Sequence, residues 1–217
     1  MFDRNERIQN LKKMLQARIV ILDGATGTAI QELNLNAEDF GGEEYEGCNE
    51  HLCITKPESI AKIHHSYFNA GADITETNSF GSTPLVLQEY GLEDIAWELN
   101  YNAAKIARDV ANSFEINNQM KFVAGSMGPT TKTLSVTGGV SFEELVKSYE
   151  IQSQGLIEGG VDFLLIETSQ DPLNLKSALI GIDQTFENIG FSIPIAIQAT
   201  IESMGTTLAG QDIESFY

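Results

Sequence analysis

Polar side chains follow apolar runs at several places along the sequence, each at the point where a run ends. Asp23 follows "RIVIL", Glu76 and Asn78 follow "ADIT", and Glu167 follows "VDFLLI". The positions of this kind are Asp23, Glu76, Asn78, Ser126, Glu167 and Gln198. Carboxylates gathered at one site can hold an ammonium group or act as acid and base, whereas a buried carboxylate without a partner is costly. The pattern therefore predicts a ligand site, against the alternative that strand ends are polar because they reach solvent.

The loop "DGATGT" combines one acid with two glycines, Asp23, Gly24 and Gly27. Its spacing differs from the G-x-G-x-x-G pattern of dinucleotide sites and from the G-K-[ST] ending of phosphate loops. An acid at the loop entrance repels phosphate but suits a cationic group, and the glycine backbone can offer N–H groups to a carboxylate. An amino acid carries both groups. The residues leave open whether the loop binds an amino acid or is a tight turn that needs glycine at positive φ.

The segment "EGCNEHLC" places Cys48, His51 and Cys53 within six residues. The C-x2-H-x-C spacing resembles a metal cluster, but structural zinc sites pair C-x2-4-C with a second pair of ligands that this sequence lacks. Cys53 is therefore better explained as a small buried apolar residue. Downstream, His64 shares the apolar face of a predicted helix, and its neighbour His65 does not.

Composition limits the classes of partner. The 217 residues carry 13 Lys and Arg against 31 Asp and Glu, a formal net charge of -18. Such a field repels polyanions, so nucleic acid and anionic membranes are disfavoured as partners. The sequence has no run of about 18 apolar residues and no secretory signal, and its two cysteines do not form a disulfide framework. We therefore expect a cytoplasmic protein.

Strand and helix patterns alternate along the chain after an N-terminal helix at 3–17. Strands are expected at 18–24, 72–80, 121–129, 161–170 and 193–201. Alternation of this kind indicates parallel strands, either in an open doubly wound sheet or in a (β/α)8 TIM barrel. Only a barrel brings every polar strand end to one mouth, so the barrel is favoured. We expect residues 1–217 to form part of a single barrel domain, with about five of eight βα units present and three more beyond Tyr217.

Five sequence blocks together resemble the homocysteine-binding domain of cobalamin-dependent methionine synthases, in the homocysteine S-methyltransferase family. The blocks are "LDGATGTAIQ", "GADITETNSFGST", "VAGSMGPT", "EGGVDFLLIETSQD" and "TTLAGQDIESFY". The resemblance extends from Arg18 to Tyr217. It implies a (β/α)8 barrel with a zinc ion that binds the homocysteine thiolate and makes it a nucleophile at neutral pH. It also implies methylcobalamin as the immediate methyl donor and methyltetrahydrofolate as the ultimate donor, both held on other modules of a longer polypeptide.

The resemblance also implies which residues bind homocysteine. Asp23 matches the family aspartate that faces the substrate ammonium group, and Glu167 matches the family glutamate that contacts the same substrate. The positions expected to present backbone amides to the substrate carboxylate are Gly24, Ala25, Gly125 and Ser126. Glu76 and Asn78 lie in the matching motif at a strand end, with no assigned role.

One feature of the family pattern is missing. The family binds zinc with three cysteines, one after the sixth strand and two adjacent after the eighth, which are expected beyond Tyr217. Cys48 and Cys53 do not match those positions. The chain alone is therefore not expected to bind the catalytic zinc or to catalyse methyl transfer.

Three alternatives remain open at this point. One is a stand-alone or reductase-fused homocysteine S-methyltransferase that uses another methyl donor. Another is a non-catalytic fragment that keeps the amino-acid pocket. A phosphate-using barrel is the third, and Asp23 opposes it because an anion would meet a carboxylate in the first loop.

Overall fold

The structure, a computed structural model, describes residues 3–115 and 120–217. Its strands are β1 Ile74–Glu76, β2 Phe122–Met127, β3 Phe163–Ser169 and β4 Ile195–Ala199. They form one parallel sheet in the order β1-β2-β3-β4. Strand order follows chain order, whereas a doubly wound sheet reverses its order at a switch point. The α/β class with parallel strands is confirmed, and closure of the sheet into a complete barrel stays a prediction.

Helices precede, connect and follow these strands. Within the described ranges they are α1 Arg4–Ala17, α2 Thr26–Glu32, α3 Leu52–Thr55, α4 Pro57–Ala70, α5 Pro84–Leu87, α6 Ala96–Glu115, α7 Phe142–Gly159, α8 Pro172–Ile189 and α9 Ile213–Phe216. None of them is long and apolar enough to cross a membrane.

The expected strand at 18–24 is wrong in extent. Only Leu22 pairs, in a single parallel bridge to Ile74 of β1. The Asp73 carboxylate accepts a hydrogen bond from the Ile21 amide at 3.0 Å and two from Arg18 at 2.7 Å. Backbone bonds add to this, because the Asp73 and Ile74 amides donate to the Ile21 carbonyl and the Asp23 amide donates to the Ile74 carbonyl, but a longer ladder does not form.

The start of α4 also differs from the sequence expectation. The pattern Thr55 to Glu58 predicts a capping box for α4, but Lys56 is the N-cap and no side chain caps the helix. Thr55 instead ends the preceding turn and donates its hydroxyl to the His51 carbonyl at 3.3 Å. The acidic, glycine-rich stretch from Glu32 to Ile54 predicts a long loop, but α3 begins within it at Leu52, and α2 occupies the end of the first glycine loop. By contrast, the capping box at Ser141 and Glu144 is present as predicted.

The two faces of the sheet are covered differently. Alternate residues of the strands point to one face, where Ile74, Phe122, Phe163 and Leu165 pack with Leu11 of α1. The opposite face packs against α6, α7 and α8 in the largest apolar cluster. Helix α1 therefore covers one face near the amino ends of the strands and leaves the carboxyl ends open.

A buried ion-pair network fixes α1 to the sheet. Arg7 Nε lies 2.7 Å from Asp162 Oδ1, and Arg108 donates to the other oxygen of the same carboxylate. The Val123 amide also donates to Asp162, at 2.8 Å. Because the Asp162 side chain is fully buried, these partners compensate the desolvation of its charge.

Close helix packing depends on glycine. A Cβ at Gly155 would lie 2.6 Å from the Trp97 carbonyl oxygen, and one at Gly159 would lie 2.5 Å from the Tyr101 carbonyl oxygen. Both distances are shorter than van der Waals contact with backbone atoms that cannot move aside. These glycines therefore allow α7 to approach α6 closely, which sets the position of β3 and its carboxyl end.

Candidate functional site

A cavity of about 320 Å³ opens at the carboxyl ends of the strands. It is lined by residues 25–27, 49–50 and 76–80, together with Ser126 and Glu167. A larger cavity of about 860 Å³ lies beside α1 at the opposite end and includes none of the predicted site residues. Ligands of parallel α/β proteins bind at the carboxyl ends of the strands, so the smaller cavity is the candidate site.

Alternation along the strands brings three of the predicted residues to this cavity. Glu76 follows Ile74 by two residues, and Glu167 follows Leu165 by two, so both carboxyls share the face of those apolar side chains. Ser126, the last residue but one of β2, lies on the same face and donates its hydroxyl to Glu167 Oε1.

Asp23 is held at the edge of this group by β1. Its amide donates to the Ile74 carbonyl at 2.9 Å. Its Oδ1 accepts from the Glu76 amide at 3.0 Å, and its Oδ2 accepts from the Thr75 hydroxyl. Burial raises the pKa of Asp23 from 3.8 to about 6, and the two hydrogen bonds oppose that rise.

The three carboxyls influence one another. Burial raises the pKa of Glu76 from 4.5 to about 8, and the charges of Glu167 and Asp23 add to the rise. Burial also raises the pKa of Glu167, against the Ser126 hydrogen bond. No Lys or Arg stands among the described residues that line the cavity. The site therefore has an excess of acidic groups and fits a cationic ligand group.

Hydroxyl groups hold the neighbouring backbone. The Ser126 amide donates to Thr77 Oγ1 at 2.9 Å, and Ser79 donates to the Ser126 carbonyl at 2.8 Å. Thr77 and Ser79 are themselves 2.6 Å apart, oxygen to oxygen. The segment after β1 is thus tied to the end of β2, which fixes Glu76 relative to Glu167.

Asn78 and Glu50 connect the site to the loop that contains the cysteines. Asn78 Nδ2 donates to the Asn49 carbonyl at 2.7 Å, and the Cys53 thiol lies 3.5 Å from the Asn78 carbonyl. Glu50 accepts from the Gly81 amide at 2.7 Å, and burial raises the pKa of its carboxyl. Glu50 also lines the cavity, but the sequence does not predict this, because Glu50 does not follow an apolar run as the other acidic residues do.

The remaining predicted residues lie at different places. Ala25 lines the cavity, whereas Asp23 and Gly24 lie beside it. A Cβ at Gly125 would lie 3.1 to 3.3 Å from Leu164, Leu156 and Val161, on the face of the sheet that α7 covers. The role expected for the Gly125 amide stays a prediction.

Backbone strain occurs next to two of the acidic residues. Thr168, directly after Glu167, has φ of 55°, and the pairing of β3 with β4 is irregular between Ile166 and Ser169. Ala25, two residues after Asp23, has φ of 21°. A β-branched residue in the left-handed region is uncommon, and such strain is concentrated at functional sites. The irregular pairing changes the direction of the backbone at the end of β3, where Glu167 lies.

The described residues do not fit the zinc ion that the resemblance implies. Within residues 3–115 and 120–217, no group of three or more His, Cys, Asp or Glu side chains is placed to hold a metal. Burial raises the pKa of Cys48 to about 11 and that of Cys53 to about 12, so both are thiols at neutral pH. His51 Nδ1 is 2.8 Å from the Phe40 carbonyl oxygen. No reaction step is therefore assigned to a metal.

Comparison with known proteins places the chain in a family. The sequence model described as homocysteine S-methyltransferase matches residues 20–217. The homocysteine methyltransferase MmuM from Escherichia coli, in its oxidized form, is similar in structure, with a TM-score of 0.76 and 21% identity over 95% of this chain and 70% of that chain. Its metallated form gives a TM-score of 0.76 at 21% identity, over 94% and 71% of the two chains. Its apo form gives 0.69 at 20% identity, over 94% and 68%. At these identities the structures establish similarity of fold, while the family match spans most of the sequence, so the chain belongs to the homocysteine S-methyltransferase family.

Proposed function

We propose that the cavity at the strand ends binds homocysteine, and that the chain is the substrate-binding part of a methionine synthase. The observation that carries this proposal is a group of three carboxyls, Glu76 and Glu167 in the cavity lining and Asp23 beside it, where the described lining has no Lys or Arg. Their raised pKa values show that the folded chain desolvates them without supplying a cation. The ammonium group of an amino acid would supply that charge.

Asp23 and Glu167 are the residues that we assign to the ammonium group. Each carboxyl already accepts hydrogen bonds from the protein, Asp23 from Thr75 and the Glu76 amide, and Glu167 from Ser126. These bonds fix the orientation of the carboxylates, and each retains lone pairs for a ligand. The resemblance implies backbone amides near Gly24, Ala25, Gly125 and Ser126 for the substrate carboxylate. Because the Ser126 amide already donates to Thr77 Oγ1, we assign the carboxylate to the amides near Gly24 and Ala25.

Glu76 has a different role at neutral pH. Since its pKa is about 8, its carboxyl is mostly protonated at pH 7 in the free protein. In that state it can donate a hydrogen bond to a ligand and is poorly suited to accept the thiol proton. The Asn78 side-chain amide donates to the Asn49 carbonyl, and this bond holds the backbone that follows Glu76.

The methyl donor is part of the proposal. The block "ETNSFGST" supports methylcobalamin as the immediate donor and methyltetrahydrofolate as its source, on cobalamin- and folate-binding modules of the same polypeptide. Zinc, when bound by a family member, supplies an activated thiolate. Here the chain's own residues bind and orient homocysteine.

The test is direct binding of homocysteine to the protein, measured by isothermal titration calorimetry, with Asp23→Asn and Glu167→Gln as the variants. A charge-assisted hydrogen bond is worth about 1.5–3 kcal/mol, so each variant should bind roughly 10- to 100-fold more weakly. Asp183→Asn, an exposed aspartate on α8, is the matched control. An unchanged affinity in both site variants would refute the assignment. Methionine formation from methylcobalamin, compared with other methyl donors, then tests the donor.

A further inference from the structure

A chain of three side chains runs from the candidate site into the layer between the sheet and α4. The Thr75 hydroxyl donates to Asp23 Oδ2, and the same oxygen of Thr75 lies 2.8 Å from His64 Nδ1. Thr75 is the central residue of β1, and His64 lies in the middle of α4. Both side chains are fully buried. Because Thr75 points away from the cavity, His64 reaches the site only through it.

The positions of the protons follow from the number of donors. A threonine hydroxyl carries one hydrogen, and an ionised carboxylate can only accept. When Asp23 is ionised, the Thr75 hydrogen is committed to Asp23, so the hydrogen between His64 and Thr75 must come from His64 Nδ1. Neutral imidazole has one N–H, and His64 Nε2 is then unprotonated.

The surroundings of His64 agree with this assignment. Burial lowers the pKa of His64 to about 4, so the ring is neutral at pH 7 and holds a single proton. Its Nε2 has no hydrogen-bond partner among the described residues. When the N–H is on Nδ1, the unpartnered Nε2 needs no acceptor. The single N–H of the ring is then used in the hydrogen bond to Thr75, which in turn donates to Asp23.

We propose that His64 is a positioning residue for the substrate: by donating from Nδ1 to Thr75, it holds the Thr75 hydroxyl toward Asp23 and fixes the Asp23 carboxylate for the homocysteine ammonium group. This inference rests on the function proposed above. A histidine that only fills the core would contribute to stability but would leave homocysteine affinity unchanged. His64 makes its hydrogen bond to the Thr75 hydroxyl that donates to Asp23, so loss of this bond should also lower homocysteine affinity.

Homocysteine affinity and unfolding free energy, measured on the same variants, separate these roles. His64→Leu removes the donor and should weaken binding about three- to tenfold, the effect of one neutral hydrogen bond. His64→Asn places an amide N–H near the position of Nδ1 and should bind within about twofold of the parent. His65→Leu, on the exposed neighbour, is the control. Because Nε2 is already unsatisfied, stability should fall little in His64→Leu.

A double-mutant cycle with Thr75→Val tests whether the effect passes through Thr75. Thr75→Val removes the bond to Asp23 and should weaken binding about tenfold or more. Adding His64→Leu should then cause no further loss. The proposal would be overturned if the double variant lost affinity by the product of the two single losses. It would also be overturned if His64→Asn bound homocysteine as weakly as His64→Leu. Thr75→Ser, which keeps the hydroxyl, controls for the loss of a methyl group.

Nitrogen-15 NMR of the His64 ring at pH 7 provides a test that does not depend on homocysteine. The free protein should show a protonated Nδ1 and a bare Nε2, and Thr75→Val should shift the proton toward Nε2. An Nε2–H tautomer in the parent protein would refute the chain of donors. If the tautomer is as expected but Asp23→Asn and Glu167→Gln both leave homocysteine affinity unchanged, the proposed function fails and the hydrogen-bonded series His64–Thr75–Asp23 remains.

Discussion

Replacing Glu76 with glutamine should stabilise the free protein, by an amount that grows with pH. The folded chain raises the pKa of this carboxyl from 4.5 to about 8, first by burial and then by the charges of Glu167 and Asp23. Below pH 4.5 the group is protonated in both the folded and the unfolded states and contributes nothing. Between pH 4.5 and about pH 8 the carboxyl ionises in the unfolded state and stays protonated in the folded state, so the free energy of unfolding falls as pH rises.

The size of the effect follows from these two pKa values. Each pH unit between them is worth about 1.4 kcal/mol, so at pH 7 the loss is at most about 3.4 kcal/mol. Asp23 and Glu167 share the coupling with Glu76, so we expect about half of this limit, roughly 2 kcal/mol at pH 7. Glutamine resembles the protonated carboxyl in shape and carries no charge. Glu76→Gln should therefore match the parent near pH 4 and exceed it by about 2 kcal/mol at pH 7.

Urea unfolding at pH 4, 5, 6, 7 and 8 measures this difference. The control is Glu187→Gln, an exposed glutamate on α8, which should track the parent at every pH. A gain in Glu76→Gln that is the same at all pH values would show that packing, and not ionisation, is responsible. The absence of any gain at pH 8 would refute the assignment of a desolvated carboxyl to this strand end.

Four further outcomes are expected. Homocysteine binding at pH 7 should release a proton from Glu76, because the bound ammonium lowers its pKa, and the calorimetric enthalpy should then vary with the ionisation enthalpy of the buffer. Gly159→Ala should lower the free energy of unfolding by about 1–2 kcal/mol, since overpacking against the Tyr101 carbonyl exceeds the gain in helix propensity; an unchanged urea midpoint would contradict this. Asp162→Asn should cost about 3–5 kcal/mol, because it leaves two buried guanidinium groups without their shared carboxylate. Thr168→Gly should relieve about 1 kcal/mol of left-handed strain and weaken homocysteine binding, as judged by urea unfolding and calorimetry together.

The parallel strands and several helix ends were predictable because their signals are local. Ser141 and Glu144 form the predicted capping box, and Gly71 ends α4 in the left-handed conformation. The extent of the first strand was not predictable from its apolar run. Its pairing depends on the Asp73 carboxylate and Arg18, which are distant from each other in sequence.

The candidate site was predictable in part for the same reason. The period of two along a strand places Glu76 and Glu167 on one face, and parallel pairing brings their ends together. Glu50 could not be found this way, because a short 3-10 helix (Asn49–His51) that precedes β1 brings it to the cavity. His64 was placed correctly on the apolar face of its helix, but its hydrogen bond to Thr75 depends on how α4 packs against β1.

Unfavourable groups are concentrated at one end of the sheet. The carboxyl ends hold desolvated acids and the positive-φ residues Ala25 and Thr168, each of which lowers the stability of the free protein. Stabilising contacts lie elsewhere, in the Asp162 network at the amino ends and in the glycine-mediated contact of α7 with α6. At the strand ends, local sequence rules are broken beside acids whose charge a ligand could compensate. A homocysteine ammonium group would supply the missing positive charge to acids that the fold already holds in place. Substitutions that stabilise the free protein at the strand ends should for that reason weaken substrate binding, whereas those near Asp162 should leave binding unchanged.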